Sequence, residues 1–510
     1  MESMVPLLVG LPLGVAFCVV AMAHVKALSR LIAPLAIGIV LVNLVMALSL
    51  LGAGDVHVFV GEWGPDGTLG IELVCDGLSK LMAVTINLVA LASLIFAGAY
   101  MRRFTKVWLF QALFLLMTGA MNGVVLAGDL FNLFVFLEVA AIASYALVAF
   151  GCESEELEAA FKYLVLGSVG SAFILLGVTI LYSLTGQLNM AKVAAMLPKG
   201  PAVLLAAAAL IGGLSLKAAM VPFHAWLPDA HPSAPAPISA MLSGVLIKAS
   251  GVYAVARIVF NVLGPSSQYA TILIALGVVS MVLGMLLALG QDDLKRLLAY
   301  SSISQAGYIV LSLGVAAQLM VGPRPDRVLA GLCLFGGLFH LFNHATFKSL
   351  LFLSSGSIEQ QVGTRQLKEM GGLGRRMPVT GFCCRIGALS IAGVPPFNGF
   401  FSKLIIIIAL AMAGGVFPAA YVLCAVAAAV AVGTLLMYVK VQRYVLEGEP
   451  SERVAGASEA PALMRVALVI LAVICMTAGL AMVPLRECLF GPAADALLGT
   501  AAKAAMGVMP

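Results

Sequence analysis

Long apolar runs fill almost the whole chain and constrain its fold more than any other feature. Hydrophobic residues make up 62% of the 510 positions, whereas Asp, Glu, Lys and Arg together make up only 10%. Soluble globular chains carry about 25% charged residues. A helix needs about 20 apolar residues to cross a bilayer, and these runs lack the alternation of a membrane β-barrel. The composition therefore predicts an all-α polytopic membrane protein.

The apolar runs number about 14, which predicts about 14 transmembrane helices. We place them near residues 4–22, 30–52, 77–100, 107–127, 130–150, 160–184, 203–222, 235–262, 269–289, 299–318, 328–355, 380–411, 417–441 and 463–485. Two runs are interrupted in a related way, by LSLKAAMVPFHAWLPDAH at 214–231 and by SIAGVPPFNGFFSKLIII at 390–407. Because proline removes a backbone donor, both helices are predicted to be broken. Paired broken helices indicate an internal repeat, often inverted in transporters, although proline also kinks helices that have no such role.

The chain is predicted to divide into four segments. Residues 1–106 hold the N-terminal helices and an outer loop, 107–262 the first repeat, 263–441 the second repeat, and 442–510 a C-terminal helix and tail. The outer loop contains HVFVGEWGPDGTLGIELV at 57–74, which predicts a β-hairpin around Pro-Asp-Gly.

Lys and Arg concentrate in every second connection between the predicted helices. The odd-numbered connections carry Lys26, Arg30, Arg102, Arg103, Lys106, Lys295, Arg296, Arg365, Lys368, Arg375, Arg376, Lys440 and Arg443. The loop around 53–76 instead has five acidic residues and no cation. Because cations favour cytoplasmic loops, we expect a multi-pass protein of the cytoplasmic (inner) membrane with both termini on the outer face. Asp292, Asp293, Lys295 and Arg296 are predicted to form a solvated cytoplasmic face.

Several functions are disfavoured by what the chain contains. The polar stretches near 356–379 and 443–460 are too short for a nucleotide-binding or cluster-binding domain, so energy must come from an ion gradient or from partner subunits. The net charge of +5 lies in short loops and does not indicate nucleic-acid binding. The nine cysteines show no metal-ligand spacing. We therefore expect neither a cofactor nor a metal.

Charged residues inside the apolar runs are the strongest functional indication. The stretch LFNLFVFLEVAAIASYALVAF at 130–150 carries one carboxylate, Glu138. A charge at the bilayer centre costs about 2.5–3.5 kcal/mol on insertion scales, and such residues commonly mark ion pathways. Further titratable groups lie in other runs: Lys217, Lys248, His340, His344, Lys348 and Lys403.

These groups have a chemistry suited to proton transfer. His340, His344 and Lys348 are spaced i, i+4, i+8, which predicts a stripe about 12 Å long on one helix face. Histidine titrates near neutral pH, and a Glu–Lys pair whose separation changes would switch the lysine between its charged and neutral forms. The alternatives are a structural ion pair or a hydrogen-bonded neutral acid at Glu138, lysines that snorkel to the interface, and an ordinary core histidine at 340.

Three further residues flank the first helix break. His224 and His231 would either cap and hydrogen-bond the break or serve as accessory groups of a proton path. Asp229, in WLPDAH, would either belong to that path or form an interfacial helix cap.

The motifs together resemble a known family. LFNLFVFLEVAAIASY, LKAAMVPFHAWLPDAHPSAPAPISAMLSGVLIK, DDLKRLLAYSSISQAGYI, HLFNHATFKSLLFLSSGSI and GVPPFNGFFSK, in this order over roughly residues 70–440, are similar to the antiporter-like subunits. These include proton-pumping membrane subunits of respiratory complex I, D-type subunits of Mrp sodium/proton antiporters, and equivalents in membrane-bound hydrogenases and formate hydrogenlyases. The resemblance implies 14 helices with two inverted five-helix repeats, each containing a broken helix.

The resemblance also implies roles for the buried charges. Glu138 matches the family's glutamate of the fifth helix, Lys217 its partner lysine in the broken seventh, and Lys248 the central lysine of the eighth. His340, His344 and Lys348 match the polar stripe of the eleventh helix. Lys403 falls where the broken twelfth helix carries lysine or glutamate. In the family these groups form a hydrated axis in the membrane midplane.

The resemblance implies a proton-translocating subunit of a respiratory or energy-converting redox complex, like NADH-quinone oxidoreductase or a membrane-bound hydrogenase. Its partners would be other membrane subunits, both antiporter-like and redox-arm, and no bond-making chemistry is expected in this chain. One alternative is the D-type subunit of an Mrp antiporter, which exchanges Na⁺ for protons. Others are a stand-alone solute transporter and a non-conducting scaffold subunit.

Overall fold

The computed structural model describes residues 1–60, 71–321 and 324–499, and helices dominate these residues. Within them, 12 helices are long and apolar enough to cross a membrane. Three shorter apolar helices, Pro201–Lys217, Pro378–Ala392 and Asn398–Ala413, belong to the two interrupted runs. The all-α, multi-span class is confirmed, whereas the count of 14 crossings, the inverted repeats and the four-segment division stay predictions.

The principal elements of the first half follow in chain order. They are α1 Met4–Ala23, α2 Ile32–Ser49, β1 Val56–Val60, β2 Ile71–Cys75, α3 Gly77–Tyr100, α4 Val107–Leu126, α5 Leu130–Val148, α6 Ser154–Thr185, α7 Pro201–Lys217, α8 Leu227–Ser233 and α9 Ala236–Val262. Two short helices, Lys26–Ser29 and Met190–Met196, lie in the connections.

The second half contains eight principal helices among the described residues. They are α10 Ser267–Leu289, α11 Leu294–Val321, α12 Arg327–Val362, α13 Pro378–Ala392, α14 Asn398–Ala413, α15 Ala419–Val441, α16 Ala462–Leu480 and α17 Gly491–Leu498. Short helices at Leu373–Arg376 and Met482–Leu485 lie between them.

The two strands of the outer loop pair as predicted. β1 and β2 are antiparallel, with Val56 opposite Cys75 and Val60 opposite Ile71. The Pro-Asp-Gly turn of the predicted hairpin lies at 61–70, outside the described residues. Leu73 of β2 also bridges to Ala127, so the hairpin packs on the connection between α4 and α5.

The odd-numbered connections lie together on one face of the helix bundle. Asp292 forms ion pairs with Lys368 at 2.8 Å and with Lys440 at 3.2 Å, which links three of these connections. Hydrogen bonds donated by Lys368 and, to a smaller extent, by Lys440 lower the pKa of the Asp292 carboxyl group. The prediction that Lys295 belongs to a solvated face is wrong. Only 3% of its side chain is exposed, because it packs against Glu359 of α12.

Both interrupted runs are broken where the prolines predict. α7 ends at Lys217, and the chain resumes a helix at Leu227. α13 ends at Ala392 and is capped by Gly393, whose φ of +83° favours glycine, and α14 begins at Asn398. The proline pattern did not predict the irregularity of α9, which contains π-helical turns at Leu242–Leu246, Lys248–Tyr253 and Ile258–Val262.

Candidate functional site

Glu138 and Lys217 form an ion pair between α5 and the broken end of α7. The Lys217 Nζ lies 3.1 Å from the Glu138 Oε1, and the Ser171 hydroxyl of α6 donates a hydrogen bond to the same oxygen. The Lys217 side chain is 4% exposed and that of Glu138 is 30% exposed. Glu138 and Lys217, which the family resemblance pairs, are therefore in contact, and the Glu138 carboxylate lies at the surface of the helix bundle.

The end of α7 is held by packing on two sides. Trp226 donates from Nε1 to the Leu216 carbonyl at 3.1 Å, and its ring stacks on Tyr163 with a centroid separation of 4.0 Å. On the other side, Gly251 of α9 approaches Ala218 so closely that a Cβ would overlap it. Lys217 therefore occupies a fixed C-terminal end, where the helix dipole favours a positive charge.

Lys248 lies fully buried in one of the π-helical turns of α9. Its Nζ donates a hydrogen bond to the Ser243 carbonyl one turn earlier. The Ser243 hydroxyl in turn lies 2.7 Å from the Ser302 hydroxyl of α11. The Ser243 acceptor lies in the neighbouring π-helical turn, Leu242–Leu246, and turns of this kind are common at functional sites.

His340 and His344 follow one another on the inward face of α12. Both are fully buried, and their ring centroids are 6.3 Å apart. The Nδ1 of His340 lies 2.9 Å from the Ser402 hydroxyl of α14, whereas its Nε2 has no partner among the described residues. Neither ring nitrogen of His344 has a protein partner within that part of the chain. Buried polar atoms of this kind are usually satisfied by water.

Lys348 continues the stripe one turn further along α12. It is fully buried and donates to the Leu298 carbonyl at 2.7 Å and to the Ser301 hydroxyl, both on α11. The Tyr438 hydroxyl of α15 lies 3.4 Å from its Nζ. The predicted i, i+4, i+8 stripe is therefore one buried face of a continuous helix.

Lys403 lies at the second helix break in an arrangement that parallels Lys217. Its Nζ donates to the Ile391 carbonyl in the last turn of α13 at 2.7 Å and lies 5.5 Å from the centre of the Tyr308 ring. Lys217 is the last residue of its half-helix, whereas Lys403 belongs to α14 and its amine reaches across the break to the C-terminal end of α13. Lys217 has a carboxylate partner, whereas Lys403 forms no ion pair with the residues described.

The three residues that flank the first break have different environments. Asp229 is not a helix cap: it lies in the first turn of α8 and pairs with Lys162 at 3.1 Å and Arg296 at 3.2 Å. His224 is partly buried within the break. His231 is fully buried, and neither ring nitrogen has a partner among the described residues.

Positive groups outnumber their anionic partners in this interior. In the described ranges, Lys248, Lys348 and Lys403 are bound by neutral oxygens, and Glu138 is the carboxylate that pairs with a lysine of the site. His344 lies within electrostatic reach of Lys248, Lys348 and Lys403. No cluster of three or more His, Cys, Asp or Glu suited to a metal occurs in the described chain. The arrangement can accept, hold and pass on protons.

The neutral groups that bind these charges are not apparent from the sequence. Ser171, Ser402, Ser301, Tyr308 and Tyr438 lie on helices other than those of the charges they contact. A hydroxyl inside an apolar run gives no sign of its partner, because serine and tyrosine are common in membrane helices. Only the helix packing brings these residues to the site.

A multi-span bundle with buried lysines and histidines is typical of ion-translocating membrane subunits. We call these groups the buried row: Lys217, Lys248, His340, His344, Lys348 and Lys403. The family model for the transmembrane region of NADH:quinone oxidoreductase and Mrp antiporter subunits matches residues 127–429. The chain belongs to this family.

Relatives of three kinds are similar over most of their length. NADH-quinone oxidoreductase subunit N of Desulforudis audaxviator is 39% identical, over 81% of this chain and 82% of the relative. The D-type Na(+)/H(+) antiporter protein of Alkalihalophilus pseudofirmus is 34% identical, over 88% of each chain. Hydrogenase-4 component B of Escherichia coli is 33% identical, over 80% of this chain and 62% of the relative.

Two solved structures have the same fold over nearly the whole chain. A chain of the Mrp complex from Dietzia sp. DQ12-45-1b superposes with a TM-score of 0.87 and 29% identity, covering 98% of both chains. A chain of the membrane-bound sulfane sulfur reductase, an archaeal respiratory membrane complex, superposes with a TM-score of 0.85 and 31% identity, covering 98% of this chain and 99% of the other. Both neighbours are parts of multisubunit membrane complexes.

Proposed function

We propose that this chain is the proton-translocating, antiporter-like subunit of a respiratory or energy-converting redox complex. The observation that carries the proposal is the Glu138–Lys217 ion pair at one helix break, followed by buried lysines and histidines that continue to Lys403 at the other break. The similarity to NADH-quinone oxidoreductase subunit N and to hydrogenase-4 component B supports a redox complex.

The proposed mechanism is electrostatic. It consists only of proton transfers between side chains and water. When the Glu138–Lys217 pair opens, Lys217 loses its anionic partner and passes its proton toward Lys248. The proton continues to His344 and His340 and to Lys348, and Lys403 exchanges it with one side of the membrane. Each step needs water between the groups, for which the unpartnered histidine nitrogens provide polar sites.

The partners of the chain are other membrane subunits, both antiporter-like and redox-arm. The 30% exposure of the Glu138 side chain on the outside of the bundle supports a neighbouring membrane subunit at α5. The cation distribution supports a location in the cytoplasmic (inner) membrane with the odd-numbered connections inside and both termini outside.

A second candidate is the D-type subunit of an Mrp antiporter, with Na⁺ exchanged for protons. It is favoured by the coverage of 88% of both chains in the match to the D-type antiporter protein. The same buried residues would serve it. A stand-alone solute transporter and a non-conducting scaffold are the remaining alternatives.

The test is to purify the tagged protein gently from its native membrane and identify every chain that accompanies it. Hydrogenase, formate-oxidising or NADH-oxidising subunits would support the redox pump. Small Mrp-type subunits alone, with transport that requires Na⁺, would support the antiporter. A lone active monomer would indicate a solute transporter. Coupling that survives loss of several buried charges would indicate a scaffold.

A further inference from the structure

A polar cavity opens on the face formed by the odd-numbered connections. Its volume is about 710 Å³, and it lies between the connection after α3, the start of α6, the end of α8 and the end of α12. Charged side chains of both signs line it: Arg103, Glu153, Glu155, Lys295, Glu359 and Arg365. A cavity of this size and polarity holds many water molecules.

A buried ion pair lies among the residues that line this cavity. The Lys295 Nζ is 2.8 Å from the Glu359 Oε2, and the two side chains are 3% and 22% exposed. Arg365 lies beside them, with its Nε 3.9 Å from the other oxygen of Glu359 and 3.2 Å from Asp293. Lys295 is therefore shielded from solvent, whereas Glu359 remains within reach of water in the cavity.

The backbone that follows His231 lies against this pair. The Lys295 Nζ lies 3.5 Å from the carbonyl of Pro232, the residue that follows His231, and 3.3 Å from the carbonyl of Ala234. His231 is fully buried with both ring nitrogens unpartnered within the described ranges. Its ring is within electrostatic reach of Lys348, Lys248 and Lys295. His231 therefore lies next to a residue that lines the cavity and within reach of two lysines of the buried row.

We propose that Glu359 and Lys295 form the proton-uptake site of this chain, and that His231 relays the proton to the buried lysines. This inference rests on the proposed function. Glu359 accepts a proton from water in the cavity, which weakens its hold on Lys295. The Lys295 ammonium then gives a proton to His231, and the proton on Glu359 moves to the neutral Lys295 amine. One proton has entered, His231 is an imidazolium, and the ion pair is restored.

The first test is Glu359→Gln in the intact complex, in inside-out membrane vesicles that are driven by its electron donor. Removing a positioned proton-transfer group typically costs 10²–10⁴-fold, and water in the cavity replaces it in part, so we expect proton uptake to fall about tenfold or more. Glu447→Gln is the matched control, because Glu447 also pairs with an arginine, Arg385 at 3.6 Å, but lies outside the cavity. Its proton uptake should be unchanged.

Chemical rescue separates proton transfer from a purely structural ion pair. Glu359→Cys is made in a background in which the exposed Cys18, Cys152 and Cys488 are serine. A carboxyethyl thiosulfonate then restores an anion that can be protonated, and a sulfonatoethyl thiosulfonate restores an anion that cannot. The cavity has room for either adduct. We expect the carboxylate adduct alone to recover proton uptake.

Two results would overturn the uptake site: normal proton uptake in Glu359→Gln, or equal recovery with both reagents, which would make the pair structural. Glu138→Gln, measured in the same vesicles, distinguishes this failure from that of the proposed function. If Glu138→Gln stops uptake and Glu359→Gln does not, the buried row conducts and protons enter elsewhere. If neither variant changes uptake, the proposed function fails together with the inference.

Discussion

Glu138→Gln tests the electrostatic mechanism most directly, because it removes one charge and changes little else. The amide oxygen can still accept hydrogen bonds from Ser171 and Lys217, so the packing of α5, α6 and α7 is retained. At the 3.1 Å separation of the pair, Coulomb's law with an effective dielectric constant of about 20 gives an attraction of about 5 kcal/mol.

The actual attraction is weaker than this, because 30% of the Glu138 side chain is exposed and solvent screens the charge. Solvent screening leaves about 3 kcal/mol, at the lower end of the 3–5 kcal/mol typically lost when one partner of a buried pair is removed. At about 1.4 kcal/mol per factor of ten, the loss changes the ratio of protonated to neutral Lys217 by about a hundredfold. We therefore expect redox-driven proton pumping to fall at least tenfold, with assembly and electron transfer to an artificial acceptor preserved.

Pumping would be measured by quenching of a pH-sensitive dye in inside-out vesicles, normalised to the amount of assembled complex. Glu158→Gln is the control, because that carboxylate forms a comparable ion pair with Lys162 at 2.8 Å but is 68% exposed. Surface pairs contribute about 0–1 kcal/mol, so pumping should be unaffected. Wild-type pumping by Glu138→Gln would refute the coupling of Glu138 to Lys217.

Three further predictions concern single side chains. Lys403→Ala removes the charge at the second break, and we expect pumping to be lost while the complex still assembles; failure of assembly alone, seen on native gels, would indicate a structural role. Asp76→Asn breaks the buried pair with Arg257, and we expect the free energy of unfolding to fall by about 3 kcal/mol, measured by thermal denaturation in detergent. Burial raises the pKa of Asp129 to about 6, while its carboxylate caps α5 at the Asn132 N–H. Because the folded-state pKa lies above the ordinary value of 3.8, the cost of ionising Asp129 in the fold grows from about pH 4 and is complete above about pH 6. Asp129→Asn, which can still cap, should therefore be more stable than wild type by up to about 3 kcal/mol at about pH 8, and this difference should disappear as the pH is lowered from about 6 to about 4.

The sequence predicted those features that depend on local composition. The helix predicted at 77–100 extends over Gly77–Tyr100, and the breaks after Lys217 and before Asn398 follow from prolines that remove backbone donors. The buried charges were identifiable because each interrupts an apolar run. Such features are fixed by residues close together in the chain, so the pattern alone identifies them.

The features that escaped prediction depend on residues far apart in the chain. Lys295 was expected in a solvated loop, yet it is buried because Glu359 and the carbonyls after His231 surround it. The π-helical turn at Lys248 has no composition signature. The sequence placed Glu138 midway along an apolar run but did not predict that its helix lies at the edge of the bundle, where 30% of its side chain is exposed. Hydropathy distinguishes lipid from water and does not distinguish the interior of a bundle from its surface.

The excess of lysine over carboxylate in the interior suggests how a proton can be driven along the row. Neighbouring helix axes lie about 8–10 Å apart, and two ammonium groups about 10 Å apart repel by about 1.7 kcal/mol at an effective dielectric constant of about 20. A proton that arrives at one lysine therefore disfavours a proton on the next by a little over tenfold. Opening the Glu138–Lys217 pair changes the energy by about 3 kcal/mol, which exceeds one such step. In the proposed mechanism, opening this pair would therefore supply enough energy to move a proton from Lys217 to Lys248, whereas a second carboxylate beside Lys248 would trap the proton there.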